Sequence, residues 1–300
     1  MTASSFIAFI SDPHLSEERP FFQFNWEILL DELSRRQPDL VLIGGDLALD
    51  GANNPSDLRF ARRQLDRLPC QWLAVPGNHD IGDIAKLAAP EAAVTEERRN
   101  RYLETIGRDF WSFDIGEWRI VGLNSMILTS GLAAEAEQEE FLERSIMEAG
   151  SRRVTILSHM AVCDAALSEF DTTGWFMPTE SRVMLSTYLV AGKVQLLLSG
   201  DMHQSRDRLI DGIRHVWAPS TAFVTDMACE WRPKFGGRKR VGWTEVRLGK
   251  QIEVQTHEPR RMVDFDIGNW VHDGAGLYYE FASGSRFPGF GNVSKASSLR

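Results

Sequence analysis

Chemistry in this 300-residue chain is concentrated where short apolar runs stop. The run 6–10 is followed by Asp12 and His14, and the run 39–43 by Gly44, Gly45 and Asp46. The run 71–75 leads through Pro76 and Gly77 to Asn78, His79 and Asp80. His159 follows 154–158, and Asp201 and His203 follow 194–198 after a Ser-Gly break. These are carboxylate, amide and imidazole donors with no thiolate among them, a set suited to Mn, Fe or Zn. Two such ions about 3.5–4 Å apart can hold a hydroxide between them and clamp a phosphate for in-line attack. Ions that close need a shared carboxylate, and Asp46, alone on its loop, is the candidate.

Each feature taken singly is ordinary. A D-x-H step is most often an Asx-type turn, and an Asp after Gly-Gly commonly caps one. His159 alone fits a hydrogen-bonded core residue. Five runs that all end in ligand types are a different matter, and a metal site accounts for them together. Four of the seven histidines stand at these ends; His215, His257 and His272 come later without such neighbours.

The intervening sequence supplies the elements that must hold these groups. Trp26, Leu29, Leu30 and Leu33 share one face of a helix over 24–36, and 56–68 is a second amphipathic helix. Further helices are expected near 95–106, 136–149 and 178–190, with an antiparallel hairpin over 111–125. Strands alternating with helices indicate parallel strands joined by crossovers. After residue 205 the pattern turns to hairpins, 206–220 and then 242–257 across Gly249-Lys250. Such a chain suits an α/β architecture of two packed mixed sheets covered by helices. All ligand types fall after strand C-termini, the edge where open α/β sheets bind ligands.

In order, these blocks read "SDPH" (11–14), "GGD" (44–46), "GNHD" (77–80), "SH" (158–159) and "GDMH" (200–203). Their order and spacing resemble the calcineurin-like metallophosphoesterase superfamily from residue 6 to about 220. The resemblance implies a four-layer αββα sandwich of two mixed β-sheets flanked by helices, and two divalent metal ions. It implies that Asp12, His14 and His203 bind one ion, that Asp46 bridges, and that Asn78, His159 and residue 201 bind the other. By the same resemblance His79 is no ligand but faces the substrate phosphate, and Asp80 orients its neighbours. "WAPSTAFV" (217–224) is similar to a Pro-Ser-Thr segment of class III cyclic nucleotide phosphodiesterases and glycerophosphodiesterases, which favours a phosphodiesterase over a monoesterase.

Two positions depart from the family pattern. Met160, Ala161 and Val162 stand after His159 where many relatives carry His and then prolines. Asp201 replaces the first His of G-H-x-H. A carboxylate can fill that place, but it adds negative charge and favours a harder ion there.

Composition narrows the remaining classes. The net charge of −9 argues against a nucleic-acid partner, which needs clustered cations. The one basic run, 232–240, reads as a solvated loop. No apolar stretch approaches the ~20 residues of a membrane span. The first apolar run reads as a strand rather than a secretory leader, and Cys70, Cys163 and Cys229 lie far apart, so a cytoplasmic setting is expected. A catalytic domain over 1–220 is expected, followed by a C-terminal hairpin and a cap or tail extension over 221–300, which could form a homo-oligomer contact. Trp231, Trp243 and Trp270 in that extension are expected to fill a small core. The expected substrate is a small-molecule phosphoester. A phosphomonoesterase and a non-catalytic scaffold of the same fold are the alternatives.

Overall fold

A computed structural model describes residues 4–170, 174–190, 192–225 and 235–267. Thirteen strands and six helices follow one another in these segments. β1 (Ser5–Ile10), α1 (Gln23–Arg36), β2 (Leu40–Ile43), α2 (Pro55–Leu65) and β3 (Trp72–Ala74) form the opening parallel unit. α3 (Asn78–Ile81) and α4 (Glu96–Thr105) lead to the hairpin β4 (Trp111–Ile115) and β5 (Trp118–Leu123). α5 (Ala133–Glu148), β6 (Arg153–Ser158), α6 (Thr179–Val190) and β7 (Val194–Ser199) continue the crossover pattern. β8 (Arg206–Ile210), β9 (Ile213–Trp217), β10 (Phe223–Val224), β11 (Trp243–Leu248), β12 (Ile252–His257) and β13 (Phe265–Asp266) complete the strands.

The strands make a five-stranded sheet, β12-β11-β1-β2-β3, and a six-stranded sheet, β4-β5-β6-β7-β9-β8, with a small β10-β13 pair beside them. Both large sheets are mixed: β1 runs parallel to β2 but antiparallel to β11, and β9 runs parallel to β7 but antiparallel to β8. Burial of both faces explains why their inner strands read as unbroken apolar runs. In β1, Ile7 and Phe9 join a core shared with Leu157, Leu196 and Leu198 of the other sheet. Phe6, Ala8 and Ile10 face the opposite way, into the core that holds Trp26, Leu29 and Leu33 of α1. The expected architecture of two mixed sheets flanked by helices is the one observed.

Local signals set the helix ends. Asn54 caps α2 by accepting from Ser56 N at 3.2 Å, with Pro55 at the first turn. α2 stops at Leu65, three residues before the expected end; Arg67 N and Leu68 N instead donate to the carbonyls of Gln64 and Leu65 in tight turns ahead of Pro69. The β11–β12 hairpin, expected within a C-terminal extension, lies against β1 in the five-stranded sheet. Trp243 is fully buried there and stacks on His257, whereas Cys229, Trp231, Trp270 and His272 fall outside the described residues. Of the basic run, residues 232–234 also fall outside, and Arg238 and Arg240 pair with Glu258 and Asp264. No helix among the described residues is long and apolar enough to cross a membrane.

Candidate metal centre

The loops after β1, β2, β3, β6 and β7 meet at one edge of the two sheets. Backbone bonds zip the first two together: Asp12 N donates to Gly45 O at 3.1 Å and His14 N to Asp46 O at 3.0 Å. Asp201 N donates to Asp12 Oδ2 at 3.2 Å, which ties in the loop after β7. Turning this sharply takes unusual backbone. Asp12, His14, Asp46, Asp201 and His203 all have φ between 45° and 60°, a left-handed conformation costing roughly 1–2 kcal/mol each. Strain gathered on the very residues singled out by type marks a functional edge.

Space is equally tight. Gly45 has φ +97°, and a Cβ there would run into the His159 ring; a Cβ on Gly77 would run into the Asp46 carboxylate. Gly77 opens the short α3, whose His79 N donates to Asp46 Oδ1 at 2.9 Å. Asp80 accepts from Gly77 N at 2.9 Å, Ala48 N at 2.9 Å and Leu47 N at 3.2 Å. Its carboxylate therefore locks the third loop to the second.

The ligand-type atoms converge in two sets about Asp46. Its Oδ2 lies 3.6 Å from His14 Nε2, which is 3.5 Å from His203 Nε2; that nitrogen is 3.2 Å from Asp12 Oδ1. Its Oδ1 lies 3.5 Å from His159 Nε2, which is 3.2 Å from Asn78 Oδ1 and 3.9 Å from Asp201 Oδ1. All seven residues expected as ligands are thus brought together. Three tight groups stand out, Asp12–His14–His203, His14–Asp46–His79 and Asp12–Asp46–His159. His79 lies edge-on to His14, with ring centres 4.6 Å apart.

The tautomers explain what this cluster lacks. His159 Nδ1 donates to Gly44 O at 2.6 Å, His203 Nδ1 to Phe223 O at 3.0 Å and His79 Nδ1 to Leu49 O at 2.7 Å. A carbonyl only accepts, so each Nδ1 holds the ring proton and each neutral Nε2 presents a lone pair. Those lone pairs face carboxylate and amide oxygens, acceptor against acceptor. Buried Asp12 Oδ1 has no hydrogen-bond partner despite its 3.2 Å approach to His203 Nε2. Only a cation resolves such contacts, either a proton or a metal ion, so the donor set fits divalent metal.

Electrostatics carry the same signature. Burial works against a charge on His159, yet Asp46, Asp12 and Asp201 together lift its pKa to about 9. Burial, reinforced by Asp12 and Asp80, holds Asp46 well above the usual carboxylate range. Burial also opposes ionisation of Asp12, but His203, His159 and Ser11 together outweigh it and bring the carboxyl down to about 2. Burial lowers His79 to about 4 and raises Asp80 to about 6.

Three contributors have no part in the site assigned to them by the sequence, although two of them stand in the "WAPSTAFV" segment. Asp83 lies near the centre, its carboxyl raised by burial and then by the charge of Asp201. Phe223 packs against His203, ring centres 4.3 Å apart and planes tilted by 39°, while its carbonyl anchors that ring. Ser220 Oγ donates to Asp12 O at 2.9 Å and accepts from Ala222 N and Phe223 N, so "PSTAF" braces two ligand loops.

Two mixed sheets bearing paired imidazole and carboxylate clusters on a common edge define the fold of the dimetal phosphoesterases. The chain belongs to the calcineurin-like phosphoesterase family, whose profile matches residues 7–205. It is similar to a "probable cyclic nucleotide phosphodiesterase" of Vesicomyosocius okutanii, at 24% identity over 82% of this chain and 96% of that one. A second protein of that description, from Synechococcus sp., is 26% identical over 71% of this chain and 80% of its own. Among solved structures, a dimetal phosphatase from Danio rerio shares the fold with a TM-score of 0.59 at 12% identity, over 87% of this chain and 98% of that one.

Proposed function

We propose that the chain is a dinuclear metal-dependent phosphodiesterase acting on a small organic phosphodiester or a cyclic nucleotide. The observation that carries this reading is Asp46, whose two oxygens face two separate ligand sets at 3.5 and 3.6 Å. Asp12, His14 and His203 would hold one ion and Asn78, His159 and Asp201 the other, with Asp46 shared. When bound, two such ions supply Lewis acidity toward phosphoryl oxygens and lower the pKa of water at the site. The similarity to two proteins described as probable cyclic nucleotide phosphodiesterases supports a diester as substrate.

The chain's own residues do the rest. Asp80 and Ser220 fix the ligand loops, so the donors need no rearrangement on binding. His79 faces the substrate phosphate, its orientation set by Leu49 O. Because Nδ1 is committed there, Nε2 donates only when the ring is charged, and burial opposes that charge. An anionic phosphodiester beside Nε2 supplies the compensating charge, so His79 stabilises the transition state or protonates the leaving oxygen. A reducing, cytoplasmic setting and a small-molecule substrate are part of the proposal; Cys70 and Cys163 are free thiols, and the net charge is −9.

The test is hydrolysis of bis(p-nitrophenyl) phosphate, p-nitrophenyl phosphate and a cyclic nucleotide with added Mn²⁺. Turnover of the diesters above the monoester, abolished by EDTA, is expected. Preference for the monoester would move the chain to the phosphatases, and no turnover with two ions bound would make it a scaffold.

A further inference from the structure

The two ligand sets differ in kind. The set on Asp46 Oδ2 offers two imidazole nitrogens, from His14 and His203, and two carboxylate oxygens, from Asp12 and Asp46. Its side chains are all at most 4% exposed. The set on Asp46 Oδ1 offers one nitrogen, from His159, and three oxygens, from Asp46, Asn78 and Asp201. Asp201 and Asn78 are both partly exposed members of this set; the Asp201 side chain is 13% exposed, with an oxygen 3.9 Å from His159 Nε2, outside all three tight groups. The loop is nonetheless fixed, by the left-handed turn at residue 201 and the bond from its N–H to Asp12 Oδ2.

Donor type and room act in the same direction. A compact site with two nitrogens suits a borderline ion such as Zn²⁺ or Fe²⁺, held tightly. Three oxygens, one of them a charged and more open carboxylate, suit a harder ion that keeps water and a higher coordination number. With Asp201 the carboxylates facing the pair of positions number three, and Asp83 adds negative charge close by.

We propose that Asp201 makes the second position an exchangeable site for a hard divalent cation of the Mn²⁺ and Mg²⁺ class, beside a first position that holds its ion tightly. This rests on the two-metal reading above and concerns which ion each position takes. Loading the first position does not require residue 201, so the positions fill in order and empty in the reverse order.

The experiment is titration of metal-free full-length protein with Mn²⁺, followed by electron paramagnetic resonance. Elemental analysis after competition between Mn²⁺ and Zn²⁺ accompanies it. Wild type, Asp201→Asn and Asp201→His are compared. Wild type is expected to bind one Mn²⁺ tightly and a second more weakly. Asp201→Asn keeps shape and one oxygen; it should weaken only the second event, by at least about tenfold, the lower end of what a supporting partner contributes. Asp201→His should raise the Zn²⁺ to Mn²⁺ ratio at that position by a similar factor. Wild-type affinity for the second Mn²⁺ in Asp201→Asn overturns the proposal, as does an unchanged ratio in Asp201→His. Both outcomes are read from binding alone. They are therefore distinct from failure of the phosphodiesterase reading, which is two bound ions without turnover.

Discussion

The Arg206 guanidinium lies over the Trp217 ring at 3.3 Å and donates to Asp164 and to the carbonyls of Cys163 and Phe235. Three residues earlier in the chain, His203 turns its Nε2 toward a carboxylate oxygen that has no hydrogen-bond partner. Both regions bury charge at the same end of the six-stranded sheet. In the first, the chain supplies an anion, carbonyls and an aromatic face, and its charge is balanced internally. In the second, the carboxylates of Asp12, Asp46 and Asp201 gather around imidazoles, a donor set suited to a bound divalent ion. His159 and His215 record the contrast: carboxylates lift the first to about 9, whereas burial and then Arg206 lower the second to about 4. Burial alone does not decide the charge of a histidine. Its neighbours do.

The contrast breaks most sharply at Asp46. Asp46→Asn should cut hydrolysis by more than the roughly 10–100-fold typical of a supporting partner. The same change removes a buried carboxylate crowded by Asp12 and Asp80, so the variant should melt above wild type in EDTA. Calorimetry with and without metal reads both effects, and retained activity would remove Asp46 from its shared role. Next in size, His79→Gln should lower kcat by about 10²–10⁴-fold with metal content unchanged, since general acid help contributes that much. Metal lost along with activity would instead make His79 a ligand, which its closeness to His14 and Asp46 permits.

In the balanced region the pattern should invert. Arg206→Met should destabilise the protein by about 3 kcal/mol in urea melts, because it strands buried acceptors, while metal content stays unchanged. Loss of metal in that variant would show the two regions to be one unit. The last effect is spread over a pH interval and concerns stability alone. His215 takes up a proton near 4 when folded and near 6.5 when unfolded, so between those values the unfolded chain binds more protons. Stability therefore falls as pH drops from about 6.5 to 4, by about 3 kcal/mol in total. His215→Gln should flatten that part of the profile, and an unchanged slope assigns it to other groups.

Much of this was legible in the chain because the fold writes its strands plainly. Strands buried on both faces read as apolar runs, and the donors stand within a few residues of their ends. The family resemblance carried by the motif order is what pairs Asp12 with His203. Sheet order could not be read: β9 inserts between β7 and β8, since a parallel neighbour for β7 leaves no mark in the local pattern of 213–217. Asp83 and the Phe223 carbonyl were equally silent, one a carboxylate in an unremarkable loop, the other a backbone group that any residue carries. The sequence shows Asp201 as an oddity of type. The distances make it the outlying member of its set.

Gly45 and Gly77 extend the site to positions that contribute no functional atom. Each keeps clear a volume that a ligand side chain occupies, His159 in one case and Asp46 in the other. In a saturation mutagenesis screen these two should tolerate substitution no better than the ligands themselves, alanine included. Drift of the protein over generations is then confined as much by reserved volume as by donor chemistry. Met160, Ala161 and Val162, which follow a ligand, are confined in a different way, by burial in the hydrophobic cores.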